Sequence, residues 1–381
     1  MAASDSLMQI TVVDPPAYTP PYDHALCSAL ARRGVDVELA TSRFRHGLAP
    51  PPDGYRRTES FYSFASGIRP LKAVRHPLDM LRLARRLERE GRDVVHFEWL
   101  PLPALDVRLV SRFPRPRVFT AHDLSRASGP WAGRRASARR LAELVDAIVV
   151  HSEDGRRRLV GELGLAEDKL RVIPHGAFEY LTRLPDEAPI DPSLGNLDGR
   201  KVVLFFGLVR PYKGLDVLIE AFASTPPDAV LLVVGRSLMP LDPLRTRATE
   251  LGIDNRVRFL TRFVREAEIP AYFRHADLVV LPYREIDQSG VLFTALAFGK
   301  PLLLSSVGGF TELAEEHGAA RIVPPGDAGA LTRALNELLG DEAARAELAE
   351  AARRAAARPY SWDRAAELTT DLYRSLLDGS R

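Results

Sequence analysis

Along nearly the whole chain, short apolar β-rich runs, many of them apolar throughout, alternate with amphipathic helical stretches. In the first half these runs are Gln9–Val13, Val35–Thr41, Val94–Phe97, Val118–Ala121, Ala147–His151 and Leu170–Pro174. In the second half they are Val202–Gly207, Ala229–Gly235, Val257–Leu260, Leu278–Pro282, Pro301–Ser305 and Ala320–Val323. A strand with one wet face alternates apolar and polar residues, whereas a continuously apolar strand suits a parallel sheet covered by helices on both faces. The repeat therefore predicts doubly wound parallel α/β sheets. Twelve strands are too many for one open sheet, so two are expected, and 381 residues suffice for a full core in each.

The segment Leu184–Arg200 (LPDEAPIDPSLGNLDGR) holds three prolines and two glycines among many acids. That composition reads as a linker between a domain over 1–183 and a second over 201–360. A last helix over 361–381 follows a complete second βα set and is expected to return to the first domain. Two such domains are expected to face each other across a cleft at their carboxyl strand edges.

Composition excludes several function classes. Net charge is +2, too balanced for a whole-chain nucleic-acid binder. A single cysteine, Cys27, excludes an internal disulfide framework and a cysteine metal cluster, and its place inside a helix makes it a core residue. No apolar run approaches the ~18 residues of a membrane span. The start, MAASDSLMQITVV, lacks a basic end followed by an apolar stretch, so the expected compartment is the cytoplasm. GxGxxG after a strand, GxxxxGK[ST], HExxH and GxSxG are all missing. Charge is uneven, however: residues 1–183 carry 29 Lys/Arg against 22 Asp/Glu, and the remainder 23 against 28. The excess arginines gather in Arg82–Arg92 and Arg134–Arg140. On LRLARRLERE an apolar stripe of Leu81, Ala84 and Leu87 leaves the arginines facing elsewhere. They form either a solvated helix face or a surface attracted to an anionic membrane or acceptor.

The stretch VVLFFGLVRPYKGLDVLIEAF reads as strand, turn, helix. Gly207 ends the strand, Gly214 opens the helix, and Arg210 and Lys213 lie between them, over the carboxyl edge of the sheet. One guanidinium and one ammonium match the charge of a diphosphate. In YREIDQSGVLFTALAFGKP, Ser289-Gly290 opens a second helix. Its first amides, at Gly290, Val291 and Leu292, offer an anion site at the positive end of the helix dipole. Two anion sites on one sheet edge suggest a nucleoside diphosphate.

Taken in order, these segments resemble the family 4 glycosyltransferases, retaining enzymes of the GT-B fold that use nucleotide-sugar donors. FGLVRPYKG resembles the family's donor-diphosphate loop, and EIDQSGVLFTALAFGKP its acidic loop and helix. SSVGGFTEL resembles its Gly-Gly-x-x-Glu turn, with Gly308, Gly309 and Glu312. VIPHG resembles the strand end before the linker, and PYSWDRAAELTTDLYRSL the crossing terminal helix. The resemblance implies GT-B architecture, with two Rossmann-like domains, and transfer of a sugar to an acceptor hydroxyl on a glycan, a lipid-linked glycan or a small molecule. It also implies a donor set of Gly207, Arg210, Lys213, Glu285, Asp287, Ser289, Gly290, Val291, Leu292 and Thr294. No metal or other cofactor is expected, because the two cations do the work of magnesium. The family places two glutamates eight positions apart around this motif, the later one holding the ribose. Here the later position is Thr294 and the earlier is Ile286, flanked by Glu285 and Asp287.

In the first domain the family's glycine-rich loop is replaced by DPPAYTPPYDHALCSALARRG. Tyr18, Thr19 and Tyr22 sit where that loop would meet acceptor or donor phosphate, or the prolines simply end the strand. VHFEWLPLP ends a strand with Glu98 and Trp99; Trp99 either stacks on a sugar or covers the core. VFTAHDLSRAS places His122 just beyond a strand, and the resemblance implies a role at the transferred sugar, alongside Arg210 and Lys213 as the catalytic set. The alternative is a locally satisfied His beside a capping Asp123. His151 is given no role. Rival activities with the same phosphate loop are a nucleotide-sugar epimerase, a sugar phosphorylase or a non-catalytic donor-binding subunit.

Overall fold

A computed structural model describes residues 7–44, 50–63, 69–122, 135–286 and 288–379. The chain divides into two units, residues 1–176 with 362–381, and 177–361. The strands of unit 1 are β1 (Gln9–Asp14), β2 (Asp36–Ser42), β3 (Arg56–Phe61), β4 (Val94–Phe97), β5 (Arg117–Thr120), β6 (Ala147–Val150) and β7 (Leu170–Val172). All pair in parallel, in the order β3-β2-β1-β4-β5-β6-β7. Unit 2 holds β8 (Lys201–Phe206), β9 (Ala229–Val234), β10 (Val257–Leu260), β11 (Leu278–Leu281), β12 (Leu302–Ser305) and β13 (Arg321–Val323). Its parallel order is β10-β9-β8-β11-β12-β13.

Successive side chains of the inner strands enter opposite cores, which is why those strand runs are largely apolar. In β1, Ile10 and Val12 join one cluster with Leu26, Cys27 and Leu30 of the helix Pro20–Arg32, while Val13 joins the other with Met80, Leu83 and Leu87. In β8, Val202 and Leu204 face one core, and Val203 and Phe205 the other. Buried side chains of this size are each worth roughly 1.5–3 kcal/mol. The helix Trp362–Asp378 packs Ala365, Ala366, Leu372 and Tyr373 into the Cys27 core of unit 1.

Two sequence expectations change. The chain has a thirteenth strand, β3, that apolarity did not reveal: RRTESF lies at the sheet edge with most of its residues partly or fully exposed. The stretch 184–200 is laid onto unit 2 rather than spanning two domains. Leu194 is buried in its core, the Ala188 amide donates to the Ala267 carbonyl at 2.8 Å, and Arg262 pairs with Asp191 at 2.8 Å. The division falls earlier, between Gly176 and Ala177.

Candidate functional site

In an open parallel sheet, the loops leaving two adjacent strands diverge where the strand order reverses, and ligands enter the crevice between them. In unit 2 that point lies between β8 and β11. The loop after β8 carries Gly207, Arg210 and Lys213, the last in a 3-10 turn over Pro211–Lys213. Gly214 has φ 67°, and a Cβ there would stand 2.0 Å from the Pro282 carbonyl oxygen, so only glycine lets this loop lie against the loop after β11. Arg284 fastens the same two loops. Its guanidinium donates to both oxygens of Asp216 at 2.9 and 2.6 Å and to the Pro211 carbonyl at 2.9 Å.

Lys213 is folded inward. It is 7% exposed, its ammonium sits 5.1 Å from the Tyr283 ring centre, and a Cβ on Gly207 would meet Nζ at 3.2 Å. No carboxylate among the described residues pairs with it or with half-buried Arg210. Burial, with Arg210 adding repulsion, pushes the Lys213 pKa from 10.5 down to about 8. An ammonium this deeply placed, with no carboxylate partner among the described residues, carries a desolvation cost that a bound anion would relieve.

The helix Gly290–Ala297 begins beside it, with Val291 Cγ2 against Gly207. Ser289 is its N-cap residue but makes no side-chain cap; its hydroxyl lies 3.5 Å from that of Tyr283. The Leu292 amide is not free, as the sequence suggested, because it donates to the Ser289 carbonyl at 2.9 Å in a tightened first turn. The amides of Gly290 and Val291 meet no backbone acceptor among the described residues. Thr294 is also turned away from a ribose role: it is buried, and its hydroxyl donates to the Gly290 carbonyl at 2.8 Å. Glu285 is exposed and Ile286 packs on the core; Asp287 lies outside the described residues.

In unit 1 the reversal lies between β1 and β4. Ala17, at φ 53°, turns the chain after β1, and Trp99 after β4 donates from Nε1 to the Thr19 hydroxyl across the crevice at 2.9 Å. Exposed Tyr18 stands edge-on to Trp99 at 5.3 Å, and the Trp99 ring stacks on His122 at 4.8 Å and 12°. One partner of the Trp99 indole is thus an imidazole stacked against it. Tyr22, in the helix Pro20–Arg32, meets His122 edge-on at 4.7 Å. His122 Nε2 lies 2.7 Å from Glu98 Oε2, and its Nδ1 lies 3.2 Å from His151 Nε2. His151 Nδ1 in turn reaches the Ile173 carbonyl at 2.9 Å. The crevice therefore collects Tyr18, Thr19, Tyr22, Glu98, Trp99 and His122, but both His122 nitrogens are used inside the unit. Asp123 lies outside the described residues. The roles of His151 and His175 were not anticipated: the signal was four adjacent strands, β4 to β7, each followed within three residues by Glu or His.

Beneath Tyr18, Asp14 and Asp23 are buried together. Asp14 accepts from the Tyr18 amide at 2.9 Å, and burial pushes its carboxyl up to about 7 and that of Asp23 well above the usual range.

Residues 22–177 match the family described as Glycosyltransferase Family 4, and residues 186–355 match Glycosyl transferases group 1. A D-inositol 3-phosphate glycosyltransferase of Nocardia farcinica is 27% identical over 385 residues, covering 91% of this chain and 82% of its own. The structure of sucrose-phosphate synthase from Thermosynechococcus elongatus shares the fold with a TM-score of 0.76 at 21% identity, covering 97% of this chain and 99% of that one. HepE of Anabaena, solved in complex with UDP, gives 0.72 at 20% identity, covering 97% and 100%.

Proposed function

The chain belongs to the family 4 glycosyltransferases and is a glycosyltransferase of GT-B fold, and from that premise we propose that it moves a sugar from a nucleoside diphosphate to an acceptor hydroxyl with retention. The observation that carries the reading is Lys213, an ammonium 7% exposed with no carboxylate partner among the described residues, set beside Arg210 and the Gly290 and Val291 amides. In the reaction the bond from the anomeric carbon to the β-phosphate oxygen breaks. The acceptor oxygen bonds the same face, and its proton passes to the departing phosphate oxygen. No protein nucleophile is required. The chain's task is to stabilise charge growing on the diphosphate, through groups already in place before reaction. Two cations there make a divalent metal unnecessary. Family membership favours transfer over the epimerase, phosphorylase and non-catalytic readings.

The test is mass spectrometry after incubation with a panel of nucleotide sugars and hydroxyl acceptors, D-inositol 3-phosphate among them as the acceptor named for the relatives. A glycosylated acceptor with stoichiometric nucleoside diphosphate is expected, and Arg210→Ala should lose about 2–4 kcal/mol of transition-state stabilisation. Release of an epimerised nucleotide sugar, or phosphate-dependent turnover, would refute transfer.

A cytoplasmic, peripheral association with anionic membrane is part of the same reading. No helix among the described residues is long and apolar enough to cross a bilayer. On the helix Arg69–Glu90, Leu71, Val74 and Leu78 are 44%, 69% and 51% exposed, and the same face continues through exposed Arg82, Arg85 and Arg89. The stripe of Leu81, Ala84 and Leu87 turns inward, with its last two members buried, and leaves Arg82, Arg85 and Arg89 facing elsewhere as expected. Arg86 and Arg92 are not surface charges; both pair with buried Glu38. Each basic residue near an anionic bilayer is worth about 1 kcal/mol, and the apolar stripe adds insertion. Sedimentation with phosphatidylserine vesicles at low salt, reversed at high salt and weakened by Val74→Asp, is expected; a supernatant protein at low salt contradicts it.

A further inference from the structure

The row of groups along the carboxyl edge of β4 to β7 has a proton count that its members, taken singly, do not supply. Three contacts form one chain: Glu98 Oε2 to His122 Nε2 at 2.7 Å, His122 Nδ1 to His151 Nε2 at 3.2 Å, and His151 Nδ1 to the Ile173 carbonyl at 2.9 Å. Each contact needs one proton. An ionised Glu98 and two neutral imidazoles together bring two. With that inventory His151 must donate to Ile173 and His122 to Glu98, which leaves two ring lone pairs facing each other at 3.2 Å.

We propose that Glu98 is a positioning residue that holds the third proton. The Glu98 carboxylic acid donates to His122 Nε2, His122 Nδ1–H donates to His151, and His151 Nδ1–H donates to Ile173. The imidazole that backs Trp99 is thereby locked in the Nδ1–H tautomer, and the wall of the unit 1 crevice is set by an acid that stays protonated.

The surroundings favour this neutral arrangement over one with ionised Glu98 and a charged His151. Glu98 is fully buried, and its Oε1 has no hydrogen-bond partner. From its own strand His96 stands 3.6 Å away, but His96 Nε2 is engaged with Thr120 at 2.7 Å and its Nδ1 with the Tyr373 hydroxyl at 2.6 Å. From the helix Pro20–Arg32, Tyr22 packs on His122, His151 and His175. Asp14 and Asp23, whose carboxyls burial pushes up, lie on the β1 side and bring no positive charge. His175 lies 5.6 Å from His151, with Trp362 of the C-terminal helix behind it. Among the described residues, none of these neighbours is an arginine or lysine that would balance an ionised Glu98. Burial accordingly pushes the Glu98 carboxyl up, and the His122 and His151 imidazoles down to about 3 and 4.

The consequence is a pH-sensitive lock. Loss of the Glu98 proton restores the facing lone pairs, so the chain must open and His122 must change tautomer. A role for the crevice in transfer rests on the function proposed above; the proton count does not. The test is nitrogen NMR of the full chain labelled with ¹⁵N-histidine, with His122 resonances assigned by their loss in His122→Gln. At neutral pH the folded wild type should show His122 with Nδ1 protonated and Nε2 bare. On raising pH the tautomer should switch in the wild type and stay fixed in Glu98→Gln, whose amide donates permanently. A bare Nδ1 in the neutral wild type overturns the proposal without any variant. So does a tautomer switch at the same pH in Glu98→Gln.

Discussion

Replacing Lys213 by methionine should make the free protein more stable while removing its affinity for a diphosphate. The side chain is 7% exposed and its ammonium has no carboxylate partner among the described residues. Burial lowers its pKa from 10.5 to about 8, which corresponds to about 3 kcal/mol of penalty on the charged form. The ammonium–Tyr283 contact at 5.1 Å returns about 1 kcal/mol, so Lys213→Met, of similar volume, should gain about 2 kcal/mol. The sign with pH follows from proton binding. Because the folded pKa is depressed, the unfolded chain holds more protons between about 8 and 10.5, and wild-type stability should rise across that window. The variant should lack this rise. Urea denaturation at pH 7 and pH 9.5 reads both effects. A nucleoside diphosphate that pairs with the ammonium should restore its pKa, so calorimetry near pH 8.5 should show proton uptake on binding in the wild type and none in the variant. A variant less stable than wild type at pH 7, with diphosphate affinity unchanged, would refute the reasoning.

Asp14→Asn should also stabilise the fold. Burial raises the Asp14 carboxyl from 3.8 to about 7, so the folded state binds the extra proton and wild-type stability falls as pH rises from about 4 to 7. The asparagine chain should lose most of that decline, which urea midpoints across the window measure. Transfer should survive excess chelator within about threefold, since Arg210 and Lys213 supply the positive charge at the diphosphate; loss rescued only by magnesium or manganese contradicts this.

The parts of the fold that the sequence revealed are those in which one physical demand dominates. Strands buried on both faces are largely apolar, so β8 and β9 stand out, whereas β3 at an edge bears polar residues and does not. Gly214 was legible because a loop pressed against Pro282 tolerates no Cβ, and Gly207 because the chain turns there at φ 98° against Val291 and Lys213. Side-chain direction was not legible. Thr294 has the right position for a ribose contact but spends its hydroxyl on its own helix, and Leu292 spends its amide on a tightened turn. Arg86 and Arg92 sit in a run of surface-like charge yet neutralise Glu38, which lies on a strand about fifty residues upstream. The Glu98–His122–His151 chain joins the ends of three neighbouring strands, and only the strand order makes neighbours of residues so far apart in sequence.

Under the proposed function, unit 2 binds the diphosphate of a nucleotide sugar through Arg210, Lys213 and the Gly290 and Val291 amides. Calorimetric titration with UDP, GDP, ADP and CDP, each against its monophosphate, tests it most directly. One diphosphate is expected to bind at least tenfold more tightly than its monophosphate, because the second phosphate is what the two cations meet, and Arg210→Ala and Lys213→Met should each collapse that ratio toward one. Equal binding of mono- and diphosphates, or a diphosphate preference that survives both substitutions in folded protein, would contradict it.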